Sequence, residues 1–443
     1  MEKNMTVGNP AKLIFMFTLP LIAGNIVQQF YIVVDTLIVG RTLGINALAA
    51  VGSTGSLMFL MIGFLIGLTS GFSIVTGQRF GANDIKGVKN SVVTCIILTV
   101  LCSIVLTLSG VLSAKFLLEI MQTPPEIIED AYNFLVIIYG GIGATMLFNM
   151  MANLIRAIGD SKSPLWFLIF GSFLNIGLEL LFIIVFKMGI PGAALATVLA
   201  QILAGGLCFL YILKKLPILR ITKSDWQIDY KSIMQHLRIG FPMAFQAILI
   251  ALGAIIVQVA LNGLGSEAIA AFAAAQKIDM IAIMPMMSFG MAMATYTAQN
   301  YGAQNILRIK QGVNQCILMS GLFSLGIGII NIFYGGYMAS FFVGPGETKV
   351  ISLAQTYLHI SGLFYWILAL LFIYRYTLQG LGKSLVPTIA GIMELFMRIF
   401  AAVYMANYFG FTGVCSASPL AWIGSAVPLI IAYYYTMKYQ FKT

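Results

Sequence analysis

Two carboxylic acids lie where hydrocarbon is expected. Asp35 sits inside an otherwise uncharged apolar stretch, 13–39, and Glu179 inside another, in the run Asn175-Ile-Gly-Leu-Glu179. A bare carboxylate is costly at such depth, so acids kept there point to ion or proton handling. Tyr31 lies one helical turn before Asp35 and Asn175 one turn before Glu179, so each acid shares a helix face with a hydrogen-bonding neighbour. Thr197 adds a hydroxyl from the sixth apolar stretch. Carboxylate, amide and hydroxyl oxygens suit a small hard cation. Two neighbouring carboxyls can instead share a proton, because desolvation and mutual repulsion raise their affinity for it. These residues fit both chemistries.

Other charges in apolar stretches are Lys277 and Asp279 in the eighth, and Glu394 and Arg398 in the eleventh. Glu394 and Arg398 are spaced i, i+4 and are expected to neutralise each other as a structural ion pair. Lys277 and Asp279 are two residues apart, do not face each other on one helix, and are candidates for lining a cavity.

The elements that must position these groups are transmembrane helices. Apolar residues make up 60% of the 443-residue chain and charged residues 9%, which no ordinary soluble domain shows. Windows of about 20 apolar residues give twelve stretches, near 13–39, 48–77, 91–112, 131–155, 164–186, 190–212, 239–262, 268–297, 312–334, 350–374, 385–409 and 416–437. The expectation is an all-α polytopic membrane protein, its first stretch read as a retained helix. Of 25 Lys and Arg residues, nineteen fall on the face that holds both termini, including Arg375. Four fall opposite (Arg41, Lys115, Lys187, Lys349), and Lys277 and Arg398 lie within helices. By the positive-inside rule both termini are cytoplasmic, in a cell inner (plasma) membrane. The formal charge of +10 is therefore mostly topological, and nothing further supports a nucleic-acid partner.

An internal repeat divides the chain. Pro20 returns as Pro242; Gln78, Gly81 and Ala82 as Gln299, Gly302 and Ala303; Gly159, Ser161 and Pro164 as Gly382, Ser384 and Pro387; Gly189 and Gly192 as Gly410 and Gly413. The offset stays near 222 residues, the signature of duplication. Six helices per half is an even number, so the halves are expected to be related by a pseudo-twofold along the membrane normal, as in rocking-bundle transporters. The expected domains are an N-terminal lobe, 1–213, a cytoplasmic linker, 214–238, and a C-terminal lobe, 239–443. Pro20 and Pro242 each remove a helix hydrogen bond and favour a kink. The same offsets place Ile256, Val257 or Gln258 opposite Asp35 and Phe400, Ala401 or Ala402 opposite Glu179, so neither acid has an acidic twin. Coupling is expected in the N-terminal half.

The five cysteines show no metal-type spacing and read as buried small hydrophobes. The two histidines, His236 and His359, lack a ligand motif, and no soluble catalytic domain fits between the helices, so a membrane-embedded enzyme is disfavoured. A lipid-linked precursor flippase remains the alternative, for which Lys277 and Arg398 are slight support.

The segment Gln28-Gln29-Phe-Tyr31-Ile-Val-Val-Asp35, the turn Arg156-Ala-Ile-Gly-Asp160, the pair Asn175 and Glu179, and the turn Leu378-Gln379-Gly380-Leu381-Gly382-Lys383 resemble the multidrug and toxic compound extrusion (MATE) family over essentially the whole chain. The resemblance, closest to the DinF-like and MepA-like bacterial branch, implies an antiporter that exchanges H⁺ or Na⁺ for amphipathic, often cationic drugs. It implies no cofactor, no metal beyond a possible Na⁺ at the coupling site, and function as a monomer in the lipid bilayer. It places Asp35, Tyr31, Asn175, Glu179 and Thr197 at the coupling site, with Tyr139 and Asn149 at polar positions nearby. The acid at position 179 is usually Asp in that family, so the longer Glu179 is a departure.

Overall fold

The computed structural model describes residues 4–227, 229–344 and 346–440, and among these there is no strand. Helix α1 (Pro10–Leu43) covers the first expected span, and α2 (Ile45–Ser53) with α3 (Gly55–Gly81) the second. Then follow α4 (Ile85–Ile120), α5 (Ile128–Gly140), α6 (Ile142–Ala157), α7 (Lys162–Leu180) and α8 (Ile190–Lys215). The later chain forms α9 (Tyr230–Asn262), α10 (Ser266–Gly302), α11 (Ile306–Val343), α12 (Thr348–Gly380), α13 (Leu385–Phe400), α14 (Ala406–Cys415) and α15 (Ala417–Tyr435). Among the described residues, eleven segments are long and apolar enough to cross a membrane, and the pair α5 and α6, bent by 45° at Gly141, makes a twelfth. Two expected single helices are thus broken. Gly141 packs where a Cβ would meet the Val198 side chain at 2.2 Å, so its lack of a side chain brings the bend against α8.

Turns repeat with the sequence. Asn83 and Gln304, 221 residues apart, both take positive φ (55° and 58°). The next residues, Asp84 and Asn305, cap α4 and α11 by accepting from the N–H of Gly87 and Arg308. Gly159 and Gly382 match at φ 88° and 80°, and Gly189 and Gly410 at 65° and 56°. Wide π turns also recur, at Leu181–Val185 after α7 and Ala401–Met405 after α13. The first lies beside Glu179, and π turns often accompany functional sites. Its twin has no acid, so the turn belongs to the architecture.

The chain forms two compact units, one of Leu19–Ala244 and one of Met5–Thr18 with Phe245–Thr443. This differs from the sequence-based division at 214–238, because that segment packs into the first unit: Leu216 and Leu219 join its core and Lys89 pairs with Asp225 at 3.2 Å. Residues after Asn4 pack in the second unit, where the Met5 N–H donates to Gln299 and the Met5 carbonyl accepts from Asn300 and Arg308. Pro20 and Pro242 lie inside α1 and α9, within two residues of the points where the chain passes between units.

Within the first unit α3 meets the start of α9 backbone to backbone. A Cβ on Gly67 would lie 2.6 Å from Ala244 Cα and one on Gly71 2.5 Å from Gly240 Cα, so small residues four apart on both helices permit the approach. Leu68 and Phe72 fill the core beside that seam. One correction concerns charge: Arg375 lies inside α12, 5% exposed, instead of in a cytoplasmic loop. It is removed from the cytoplasmic set, and the bias of basic residues keeps its sign.

Candidate functional site

Helices α1, α7 and α8 bring the N-terminal group together. The Asn175 amide donates to Thr197 Oγ1 at 3.1 Å, and Tyr31 Oη lies 3.5 Å from the same oxygen. Thr197 in turn donates to the Ala193 carbonyl, which fixes its hydroxyl on α8. Glu179 is completely buried, and neither of its carboxyl oxygens receives a hydrogen bond from a protein donor. The half-buried Asp35 carboxyl is its electrostatic neighbour. A buried acid whose oxygens lack donors, with a second acid as its electrostatic neighbour, is an arrangement in which desolvation and like charge both favour the neutral form.

A cavity of about 40 Å³ opens beside this group. Its polar lining is Gln28, Tyr31, Ser172, Asn175, Thr197 and Gln201. A water needs roughly 10–15 Å³ of such space, so the cavity is large enough and polar enough for one. Asn175 Oδ1 and Gln201 Oε1 are buried without hydrogen-bond donors. Gln28, Ser172 and Gln201 were not singled out from sequence, although each stands three or four residues from Tyr31, Asn175 or Thr197 on the same helix face.

The two remaining N-terminal candidates stand elsewhere. Tyr139 packs in an apolar core with Ala114, Leu118 and Ile190, its ring against Gly110. Asn149 donates to the Thr145 carbonyl on its own helix. The Arg156 to Asp160 motif is a turn: Asp160 accepts from the N–H groups of Lys162 and Ser163 and from the Tyr211 hydroxyl, and so caps α7.

In the second unit, Glu394 pairs with Arg398 at 3.1 Å, as the i, i+4 spacing requires, but also with Arg375 at 2.7 Å. Arg375 additionally donates to Ser425 Oγ. Lys277 is exposed, whereas Asp279 is 5% exposed and accepts from Tyr357 at 2.8 Å and Tyr365 at 2.5 Å.

Comparison with known proteins identifies the family and the fold. The MatE family model matches residues 20–181 and 242–404. "Probable multidrug resistance protein YoeA" of Bacillus subtilis is 31% identical over 437 residues, 96% of this chain and 92% of that protein. "Probable multidrug resistance protein YpnP" of the same organism is 27% identical over 440 residues, 98% and 96% of the two chains. Among solved structures, a MATE protein in the bent conformation superposes with a TM-score of 0.90 at 24% identity, over 99% of this chain and 98% of that one. An outward-facing multidrug resistance MATE transporter gives 0.89 at 22%, with the same coverage.

Proposed function

The chain belongs to the MatE family of multi-pass membrane transporters, and we propose that it exports amphipathic, often cationic organic compounds in exchange for an inward-moving cation, by alternating access. The names of the two Bacillus subtilis relatives support multidrug resistance as the setting. The observation that carries the coupling assignment is Glu179, wholly buried with no hydrogen-bond donor to either carboxyl oxygen, with Asp35 as its acidic neighbour. One proton on this pair lets one carboxyl donate to the other and removes the cost of two facing charges. Its release leaves a carboxylate pair that only a conformation with better solvation or a counter-charge stabilises. Proton occupancy thus biases one conformation, and a bound organic cation biases the other.

Sodium is a second reading, favoured by Asn175 Oδ1, an unpartnered amide oxygen beside the Thr197 hydroxyl, because such oxygens are ligands for hard cations. Both termini are assigned to the cytoplasm of a cell inner (plasma) membrane on the basic-residue count, with a single chain as the working unit.

The test is movement of a fluorescent cationic dye in proteoliposomes under separately imposed H⁺ and Na⁺ gradients, with Asp35→Asn as control. Movement driven by one gradient and lost in the folded, inserted variant is expected. Normal transport by that variant removes Asp35 as the coupling group.

A further inference from the structure

Asp279 is a further buried acid, and the export reading assigns it nothing. Both its oxygens are taken by phenols of α12: Tyr357 donates to Oδ2 and Tyr365 to Oδ1. The chain continues, because the Asn331 amide of α11 donates to Tyr365 Oη at 2.9 Å. Asn331 is fully buried, and its own Oδ1 has no donor. Rings close the site: Phe272 lies edge-on to Tyr357, and Trp422 of α15 packs on Tyr365. The other titratable groups around it are those two phenols and the Cys415 thiol of α14, which belongs to the same apolar cluster as Tyr357. Among the described residues no Lys, Arg or His forms an ion pair with Asp279.

We propose that Asp279, with Tyr365 and Asn331 as positioning residues, forms a second proton-binding site, in the C-terminal half and separate from Asp35 and Glu179. The hydrogen-bond chain can run in either direction. Without the proton, Asn331 donates to Tyr365 and Tyr365 donates to the Asp279 carboxylate, as the structure shows. With it, one O–H bond forms on Asp279 Oδ1 and the carboxyl charge falls from minus one to zero. Asp279 then donates to Tyr365 Oη, and Tyr365 donates to Asn331 Oδ1 after a half-turn of that amide. Tyr357 donates to Oδ2 in both states.

The reversed chain satisfies the oxygen that lacks a donor here. It also neutralises an enclosed carboxylate that has no counter-charge, which is the costly form of that group in a desolvated site. At an offset of 221 residues, Met58, Val136 and Ala144 stand where Asp279, Tyr357 and Tyr365 would be in the first half, so duplication did not place this cluster. A fixed packing network needs no reversible ends, whereas this one has an unused acceptor at one end and a titratable group at the other.

The experiment is infrared difference spectroscopy of the full chain in lipid, titrated with acid, in an Asp35→Asn/Glu179→Gln background. A buried carboxylic-acid carbonyl band is expected to grow on acidification and to vanish when Asp279→Asn is added. Tyr365→Phe, which keeps the ring against Trp422, removes one hydrogen bond to a charged acceptor. It is expected to move the midpoint by about one pH unit or more, a roughly tenfold change in proton affinity. It also serves if Asp279→Asn does not fold. No titrating band in the background protein, a band that survives Asp279→Asn, or a midpoint unmoved by Tyr365→Phe overturns the proposal. Any role of this proton in export rests on the proton-coupled reading above. Failure of that reading is seen separately, as dye transport that survives Asp35→Asn, and leaves the infrared result unchanged.

Discussion

At the scale of single residues, reach and counter-charge decide what each buried ion does. Glu179 has Asp35 as its acidic neighbour and carries one methylene more than an aspartate would at that position. Glu179→Asp draws the carboxyl back while keeping a titratable group. Dye export in proteoliposomes is expected to persist with altered ion dependence, and H⁺ and Na⁺ titrations indistinguishable from those of the parent would remove Glu179 from the site. The Arg375, Glu394 and Arg398 cluster is governed by charge count instead. One carboxylate holds two guanidiniums, and the Nε of each arginine is buried without an acceptor. Glu394→Gln leaves two cations facing each other away from water. Its expected cost is about 3–5 kcal/mol, the range for breaking a buried pair, read as a lower unfolding temperature in detergent. Arg398→Gln is expected to cost less, since Glu394 keeps Arg375. A smaller loss from Glu394→Gln than from Arg398→Gln would contradict this assignment.

At the scale of elements, the sequence carried what depends on local composition and left out what depends on neighbours. The twelve spans and the repeat were legible because apolar length and recurring Gly and Pro positions are local signals. The meeting of Tyr31, Asn175 and Thr197 followed from helical spacing plus the family resemblance. Arg375 was misplaced because a cation near the end of an apolar run reads as a loop until a partner such as Glu394 is seen on another helix. Tyr139 and Asn149 were assigned near the site by the family resemblance alone, whereas one packs in an apolar core and the other bonds its own helix. The α3 and α9 seam gives an element-scale prediction. Gly71→Ala forces a methyl onto Gly240 Cα and is expected to cost about 1–3 kcal/mol. Gly177→Ala, with open space around it, is the control and is expected to keep the parent's melting temperature. The segment between α8 and α9 is held by charge. Asp225 accepts from the Thr222 hydroxyl and N–H and pairs with Lys89, which together hold its carboxyl below the usual carboxylate range. A lowered folded-state value stabilises above the ordinary one and is lost as pH falls through the folded value. The protection factor at 222–226, taken relative to the intrinsic exchange rate at each pH, is therefore expected to stay level near neutrality and to fall only below about pH 4.

At the scale of the molecule, two halves with matching turns carry unmatched acids: Asp35 and Glu179 in one, Asp279 in the other, each without an acidic twin at the repeat-related position. The repeat accounts for the frame, and the ionisable groups differ between the halves. Directionality then depends on which way the frame is inserted, since an inverted protein would run the same site against the opposite gradient. Basic residues argue for cytoplasmic termini even with Arg375 moved into α12. The exposed Lys223, between α8 and α9, and the exposed Lys115, near the end of α4, lie on opposite predicted faces. The natural cysteines interfere little, four being buried and Cys102 half-buried. In intact cells an impermeant maleimide is expected to label Lys115→Cys and to reach Lys223→Cys only after permeabilisation. The reverse pattern would invert the assigned topology, and with it the assignment of this protein as an exporter driven by an inward cation gradient.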